Sequence, residues 1–388
     1  MTAVGPLKGI RVLELGGLGP GPFCGMMLAD LGAEVVRIER QAASTAEPAP
    51  QDPLLRSRRS VAIDLSKAEG SEAALRLAER AEVLLEGFRP GVAERLGVGP
   101  EASLARNPRL VYGRMTGWGQ EGPLAHAAGH DINYIALAGA LHLIGAPGGK
   151  PVPPLNLIGD FGGGGMLLAV GVLAALLEAR QSGRGQVVDA AMIDGVAALL
   201  AMFFGFRAQG NFRDATGENF LGGAAPYYDT YQTRDGKYVA IGSIEPQFFG
   251  VLLEKLGLDP ARFGSSGFPA LDHATVKQRW PELRAAIAAA FRSKTRAEWC
   301  QIMEGSDACF APVLSVEEAP FHPHNAQRRT FIEVDGVLQN APAPRFSRTP
   351  LSAPRPPRRP GEDSESVLLE AGFSEAEIQR LRTVGVLS

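Results

Sequence analysis

The chain has 388 residues, more than a single hydrophobic core usually organises, so we expect two domains. Hydrophobic residues make up 45% of it and charged residues 21%, which is ordinary globular composition. A formal net charge of −3 excludes an overall field that would attract nucleic acid or an anionic membrane. Any anionic ligand must therefore be held by local clusters of basic residues.

The cysteines and the apolar runs indicate the compartment of the protein and its relation to membranes. Cys24, Cys300 and Cys309 lack the spacing of a metal site, and we interpret them as packing residues in a reducing compartment. The start of the chain does not predict a secretory signal. The most apolar runs, 166–177 and 196–206, are shorter than the ~20 residues that a membrane span needs. We expect a soluble, cytoplasmic protein with no metal, no nucleic-acid partner and no membrane span.

The first part of the chain alternates short apolar runs with helical patterns, which is typical of a parallel sheet with crossover helices. The predicted strands cover 10–15, 34–38, 59–65, 83–88 and 110–116. The predicted helices between them cover 22–31, 72–81 and 92–96. The pattern predicts a Rossmann-like α/β domain.

A glycine-rich turn, Gly16-Gly17-Leu18-Gly19-Pro20-Gly21-Pro22, follows the first predicted strand. Glu39 ends the second strand, about where a ribose-binding acid would lie. The spacing does not fit G-x-G-x-x-G, because Pro22 and Cys24 occupy the third positions. The prolines also remove N–H donors that a pyrophosphate would use. We therefore favour a strand-to-helix turn over a nicotinamide- or flavin-binding loop.

Three further regions follow along the chain. Helices are predicted over 132–143, 165–179 and 189–206, with a short apolar segment at 186–188. The next residues predict a β-hairpin, with strands over 227–233 and 237–243 joined by Asp235-Gly236. Helices are predicted after it over 247–256, 281–291 and 296–303. A proline-rich strap over 341–360 precedes short helices over 364–370 and 374–382. We predict a large domain over 1–225, a small domain over 226–325, and a strap with C-terminal helices over 326–388 that returns to the large domain.

Two residues bracketed by glycines are candidates for proton transfer. His130 follows Gly129 at a predicted helix start, where free N–H groups could stabilise an oxyanion. Asp160 follows an apolar stretch and precedes Phe161 and four glycines, so desolvation would raise its pKa and make it a better base. Each has a plainer interpretation, since a histidine can merely cap the start of a helix and an aspartate often N-caps one, here near Gly164.

Charged residues elsewhere could complete such a site. Glu245 stands at a helix start in the second domain, where it either caps that helix or orients His130 across a domain or subunit boundary. Arginines gather at the predicted strand ends, where each could be solvated or several could bind a phosphate-bearing nucleotide. They are Arg40, Arg56, Arg58, Arg59, Arg89 and Arg95.

Several segments together resemble the family III CoA transferases and the α-methylacyl-CoA racemases that share their fold. The segments are 9–15, 31–39, 86–91, 94–97, 128–134, 185–189, 307–309, 311–313 and 385–387. The resemblance covers nearly the whole chain. It implies a Rossmann-like large domain built from both chain ends, a smaller α+β domain between them, and an interlocked homodimer.

The resemblance also implies roles for individual residues. The racemase histidine and aspartate fall on His130 and Asp160, and the assisting glutamate from the other subunit falls on Glu245. The backbone N–H of Asp131 would receive the charge of an enolate-like intermediate. CoA would be part of the substrate, with no separate cofactor. It would rest on Arg40, Ile63, Asp64, Leu65, Ser66, Gly87, Phe88, Arg89, Arg95, Gly129 and Tyr134.

The same resemblance leaves three functions open. A racemase needs two acid/base groups on opposite faces of the α-carbon, and His130 with Asp160 supplies them. A CoA transferase would use Asp160 as a nucleophile and needs no histidine. A protein that only binds acyl-CoA needs none of the three acid/base residues. The racemase of 2-methylacyl-CoA thioesters is the function we expect, with fatty acid or sterol side-chain metabolism as its setting and the acyl chain undefined.

Overall fold

The computed structural model describes residues 4–40, 51–263 and 278–387, which divide into two compact units. The first unit comprises Met1–Ala138, Leu155–Leu199 and His324–Ser388, so both ends of the chain contribute to it. The second comprises Gly139–Pro154 and Leu200–Pro323. The longer segment of the second unit begins at Leu200, within the helix predicted over 189–206, whereas the sequence predicts that the small domain begins at residue 226.

A six-stranded parallel sheet forms the centre of the first unit. Its strands are β1 (Arg11–Leu15), β2 (Glu34–Glu39), β3 (Arg58–Ala62), β4 (Val83–Glu86), β5 (Val111–Thr116) and β6 (Gln186–Ala191). Their spatial order is β3-β2-β1-β4-β5-β6, the order of doubly wound Rossmann-type folds. The predicted α/β class is confirmed.

The sixth strand corrects the sequence interpretation. Residues 186–188 were expected as a short apolar segment and 189–206 as a helix. Instead, β6 pairs in parallel with β5 from Gln186 opposite Val111 to Ala191 opposite Thr116. The open edge of β5 supplies backbone partners to this segment, which a local pattern of apolar residues does not reveal.

Apolar side chains fill both faces of this sheet. Val12 and Leu13 are neighbours in β1 and point into different core clusters, as alternation along a strand requires. One cluster includes Leu368 and Val386 from the C-terminal region. The other includes Val172 of the helix Leu167–Ser182. The C-terminal residues thus cover one face of the sheet, and a parallel sheet is stable when both faces are covered.

The remaining elements of the first unit surround the sheet. Its helices are Pro20–Asp30, Ala68–Ala78, Val92–Arg95, Pro100–Arg106, Asp131–Leu137, Leu167–Ser182, Met192–Leu199, Ser364–Glu370 and Glu375–Thr383, with a 3₁₀ turn at Pro53–Leu55 and a π-helix at Leu157–Met166. A hairpin, Phe331–Val334 with Val337–Asn340, precedes the proline-rich segment. The helix Pro323–Arg328 begins at the unit boundary. The helix expected over 132–143 ends at Leu137, because Gly139 takes a left-handed φ of 89°.

The second unit contains the predicted hairpin and a strand that the sequence interpretation missed. Tyr228–Gln232, Tyr238–Gly242 and Phe310–Pro312 form an antiparallel sheet in that order. Its helices are Ala140–Leu143, Ala201–Ala208, Pro246–Leu256, Pro260–Phe263, Trp280–Phe291 and Arg296–Met303, with 3₁₀ turns at Phe220–Gly222 and Ala319–Phe321. Phe249, Phe291 and Trp299 fill its own core.

One helical stretch of the described chain is long and apolar enough to cross a membrane. It is Leu157–Ser182, which joins the π-helix to the helix behind the sheet. Leu168, Val172 and Leu176 of this stretch belong to the core cluster against β4 and β5. Such packing is typical of an apolar core helix.

Candidate active site

A cavity of about 510 Å³ opens at the carboxyl ends of β1, β4 and β5. The loops that follow these strands line it, as do residues of two nearby helices. The lining includes Gly17–Pro22, Gly87–Pro90, Thr116–Trp118, Gly129, His130, Tyr134, Asn156 and Asp160. Between β1 and β4 the strand order reverses, and this switch point is where doubly wound folds hold their ligands. Both candidate acid/base residues therefore lie where the fold binds ligands.

His130 is the N-cap residue of the helix Asp131–Leu137. Its backbone N–H donates to the Asn133 side chain at 3.0 Å, which fixes the start of the helix. Its side chain is exposed and lines the cavity. The predicted helix start at this residue is confirmed, and Asp131 follows as the first helical residue. The first N–H groups of a helix lack intrahelical partners, so the Asp131 N–H suits the oxyanion role predicted for it.

Tyr134 explains why glycine precedes His130. Its ring is buried and meets Trp118 edge to face, with ring centroids 4.7 Å apart. A Cβ atom at Gly117 would lie 2.0 Å from the tyrosine ring, and one at Gly129 would lie 2.8 Å from it. Only glycines leave room for the ring on both sides. Tyr134 thereby holds the segment that carries His130 against the loop after β5.

Asp160 lies within the π-helix Leu157–Met166, so the alternative interpretation, in which it caps a helix near Gly164, does not hold. The glycines that follow it permit close packing. A Cβ atom at Gly165 would lie 2.7 Å from the Pro20 carbonyl oxygen, and one at Gly195 would lie 1.9 Å from that of Gly163. The π-helix is thus wedged between the helices Pro20–Asp30 and Met192–Leu199. This packing holds the aspartate at the cavity.

The environment of Asp160 changes its acidity. Burial raises the pKa of its half-buried carboxyl above the usual range, and the negative charge of Asp131 adds to the increase. A hydrogen bond from Asn156 Nδ2 at 3.1 Å and the nearby His130 oppose it. A raised pKa suits a group that must both accept and return a proton. Asn156 was not predicted, although it precedes Asp160 by four residues in a helical stretch.

The residues predicted to bind CoA divide into two groups. Gly87, Phe88, Arg89, Gly129 and Tyr134 line the cavity together with the acid/base pair. The others do not line it, and they are Arg40, Ile63, Asp64, Leu65, Ser66 and Arg95.

The segment after β3 has structural partners of its own. Ile63 is buried and bridges to Leu387, so its side chain belongs to the core. Asp64 accepts hydrogen bonds from the backbone and hydroxyl of Ser66, at 3.0 and 2.6 Å. These bonds lower the Asp64 pKa, and the charge of Arg40 contributes less. Arg40 follows β2 and Asp64 follows β3, and the binding of CoA by this segment stays a prediction.

Three arginines of the predicted basic cluster form ion pairs within the folded chain. The Arg56 side chain is fully buried and donates to Asp30 at 3.1 Å. Arg58 donates to the buried Glu14 at 2.7 Å. Arg59 pairs with Glu370 of the C-terminal region. These contacts give Arg56 and Arg58 structural partners inside the fold, and nucleotide binding by the three residues stays a prediction.

A buried carboxylate that sequence reasoning missed supports the loop after β4. Glu86 Oε2 accepts the N–H of Phe88 at 2.7 Å, and Oε1 accepts Arg114 Nε at 2.9 Å. Burial raises the pKa of Glu86 to about 7. Glu86 lines the cavity and fixes the turn that presents Arg89. Its position at a strand end in an apolar run was one signal, and its place in the segment 86–91 that resembles the family was another.

Glu245 lies in the second unit. It is exposed and N-caps the helix Pro246–Leu256, whose first residue is proline. Its negative charge raises the pKa of Cys309, after burial as the larger cause. The pairing of Glu245 with His130 stays a prediction.

The fold and the cavity are those of a doubly wound α/β protein with acid/base groups at the switch point of its sheet. The sequence matches CoA-transferase family III over residues 7–364. The chain belongs to this family. It is 48% identical to the alpha-methylacyl-CoA racemase of Mus musculus, over 97% of this chain and 96% of the relative.

Two further comparisons agree with this assignment. The identity to the alpha-methylacyl-CoA racemase of Homo sapiens is 43% over 97% of this chain and 96% of the relative. The crystal structure of a CAIB/BAIF family protein from Brucella suis superimposes with a TM-score of 0.79 and 26% identity. That match covers 95% of this chain and all of the other. The predicted family and fold are confirmed.

Proposed function

We propose that this protein interconverts (2R)- and (2S)-2-methylacyl-CoA thioesters by 1,1-proton transfer. The main support for this proposal is that His130 and Asp160 line one cavity at the switch point of the sheet. Racemisation needs a base on one face of the α-carbon and an acid on the other. The relatives named as alpha-methylacyl-CoA racemases support the substrate class.

The proposed reaction proceeds through an enolate-like intermediate. One residue of the pair removes the α-proton, and the electron pair left on carbon moves toward the thioester oxygen. The Asp131 N–H, at the start of its helix, stabilises the oxygen charge. The other residue then returns a proton to the opposite face. The roles of His130 and Asp160 reverse with the enantiomer, so the bonds made and broken balance in both directions.

The loop after β4 is the proposed handle for CoA. Arg89 is exposed, lines the cavity and follows the Glu86-anchored turn, so its guanidinium can meet a phosphate or stack on adenine. Phe88 and Tyr134 supply apolar surface in the same cavity. CoA is then part of the substrate, and the proposal includes no separate cofactor.

Deuterium exchange tests the function. In deuterated water, either enantiomer of a 2-methylacyl-CoA should gain α-deuterium and the two should converge to a near-equal mixture. Mass spectrometry measures the label and chiral chromatography the configuration. Movement of CoA to a free acid acceptor, with no α-deuteration, would favour a CoA transferase with Asp160 as nucleophile. Tight acyl-CoA binding with neither reaction would favour a protein that only binds.

We further propose an interlocked homodimer in which Glu245 of one subunit orients His130 of the other. Exposed apolar side chains on the helix Leu167–Ser182 support an additional partner surface: Val170 is 63% exposed and Leu177 is 61% exposed. A cytoplasmic location is part of the same proposal, and cell fractionation tests it.

Subunit complementation tests this pairing. We expect His130→Ala and Glu245→Gln to be nearly inactive alone but to recover activity when the two chains are co-expressed with different tags and purified as a heterodimer. In that heterodimer one site keeps both residues and the other site has neither. In the control, each single variant is refolded separately and the two are mixed without subunit exchange. A heterodimer as inactive as the two single variants would contradict an active site shared between subunits.

A further inference from the structure

Asp131 is a buried carboxylate that contacts the backbone of Asp160. Its Oδ2 atom accepts the N–H groups of Gly159 at 2.6 Å and Asp160 at 2.8 Å. The residue is 6% exposed. Its Oδ1 atom is also buried and has no hydrogen-bond partner among the residues that the structure describes. Charge-assisted hydrogen bonds of this kind are strong and directional.

The position of Asp131 links the two proposed acid/base groups. Its backbone follows His130 directly and begins that helix, while its side chain holds the first turn of the π-helix that carries Asp160. The contact is close enough that a Cβ atom at Gly159 would lie 2.5 Å from Asp131 Oδ2. A shift of Asp131 would therefore move the Asp160 peptide relative to His130.

We propose that Asp131 is a positioning residue for proton transfer at Asp160. Its carboxylate fixes the Gly159–Asp160 peptide and places a negative charge beside the Asp160 side chain. The inference rests on the proposed racemase function. It adds to that function a role for the Asp131 side chain, separate from the backbone N–H that meets the oxyanion.

The charges around Asp160 predict the sign of the effect. Burial raises the Asp160 pKa most and the carboxylate of Asp131 adds to the increase, whereas the Asn156 hydrogen bond and His130 lower that pKa. Tyr134 lines the same cavity, and its pKa is raised by burial first and by the charge of Asp160 second, while Arg89 opposes the increase. Asp131→Asn retains the shape of the side chain but removes its charge. The Asp160 pKa should then fall, which makes Asp160 a weaker base.

A plainer role is that Asp131 only caps the π-helix, since the first N–H groups of any helix need acceptors. The two roles differ in which face of the substrate they affect. A cap that serves stability alone would affect proton transfer on both faces equally. A positioning residue for Asp160 affects the face that Asp160 serves.

Two single variants allow proton transfer on each face of the α-carbon to be measured separately. With His130→Ala, α-deuterium exchange of one 2-methylacyl-CoA enantiomer proceeds through Asp160, and with Asp160→Asn exchange of the other proceeds through His130. Adding Asp131→Asn should slow the first exchange about ten- to a hundredfold and shift its pH midpoint downward. The second exchange should keep its rate and pH profile. Equal losses on both faces would overturn the proposal.

Further variants keep the test decisive. Asp131→Ser removes the charge but retains an acceptor oxygen, and it should show the same face-selective loss. Ser374→Ala removes the cap of the distant helix Glu375–Thr383, so it should lower the melting temperature without changing either exchange. If both Asp131 variants failed to fold, the residue would serve stability alone and the proposal would be wrong. If the parent variants showed no exchange on either face, the racemase function itself would fail.

Discussion

Replacing His130 with alanine should slow racemisation strongly while leaving one-sided exchange intact. The substitution removes one of two acid/base groups but neither the Asp131 N–H nor the cavity wall around Asp160. The interconversion rate of 2-methylacyl-CoA enantiomers should fall about 10²–10⁴-fold, the usual contribution of a positioned acid/base group. The enantiomer whose α-proton faces Asp160 should still gain deuterium with retention of configuration.

His126 provides a matched control for this substitution. It is exposed, precedes His130 by four residues and is not among the residues that line the cavity. His126→Ala should therefore racemise at the parent rate. Chiral chromatography of product and mass spectrometry of α-deuterium separate inversion from exchange. Racemisation at the parent rate in His130→Ala would contradict the two-base mechanism.

Asp160→Asn should give the mirror image of this result. Asparagine has nearly the same shape, so the hydrogen bonds from Gly159 and Asp160 N–H groups to Asp131 are retained. It cannot accept the α-proton, and racemisation should again fall about 10²–10⁴-fold. Exchange should survive only for the opposite enantiomer, the one whose α-proton faces His130. The enantiomer that exchanges thus identifies the face that each residue serves.

The same variant distinguishes the two chemistries of the family. A CoA transferase that forms an acyl anhydride on Asp160 would lose CoA transfer in Asp160→Asn and keep most of it in His130→Ala. A racemase loses inversion in both. Asp194→Asn is the control, because Asp194 is exposed on the helix packed against the π-helix and does not line the cavity. Inversion that persisted in Asp160→Asn would remove this residue from the mechanism.

Local patterns in the sequence determined much of the fold. Alternating apolar runs predicted β1 to β5 because each strand buries side chains on both faces of the sheet. Caps and turns were also local: Ser374 accepts the Glu377 N–H as predicted, and Gly236 supplies the hairpin turn. The helix start at His130 belongs to the same group. Motif resemblance added the family and the acid/base residues.

Contacts between distant parts of the chain decided the rest. β6 exists because the free edge of β5 pairs with it, and Arg56 and Arg58 are buried because Asp30 and Glu14 lie opposite them in the folded sheet. No local spacing encodes such partners.

The same distinction holds within the site. Sequence alone marked His130 and Asp160 by their glycine neighbours and the family resemblance. Only the tertiary structure placed both at one cavity, put Asp160 inside a π-helix, and added Asn156 and the Asp131 carboxylate to its surroundings. The physical reason is that an acid's pKa depends on burial and on charges brought near it by folding, and these are properties of packing in three dimensions.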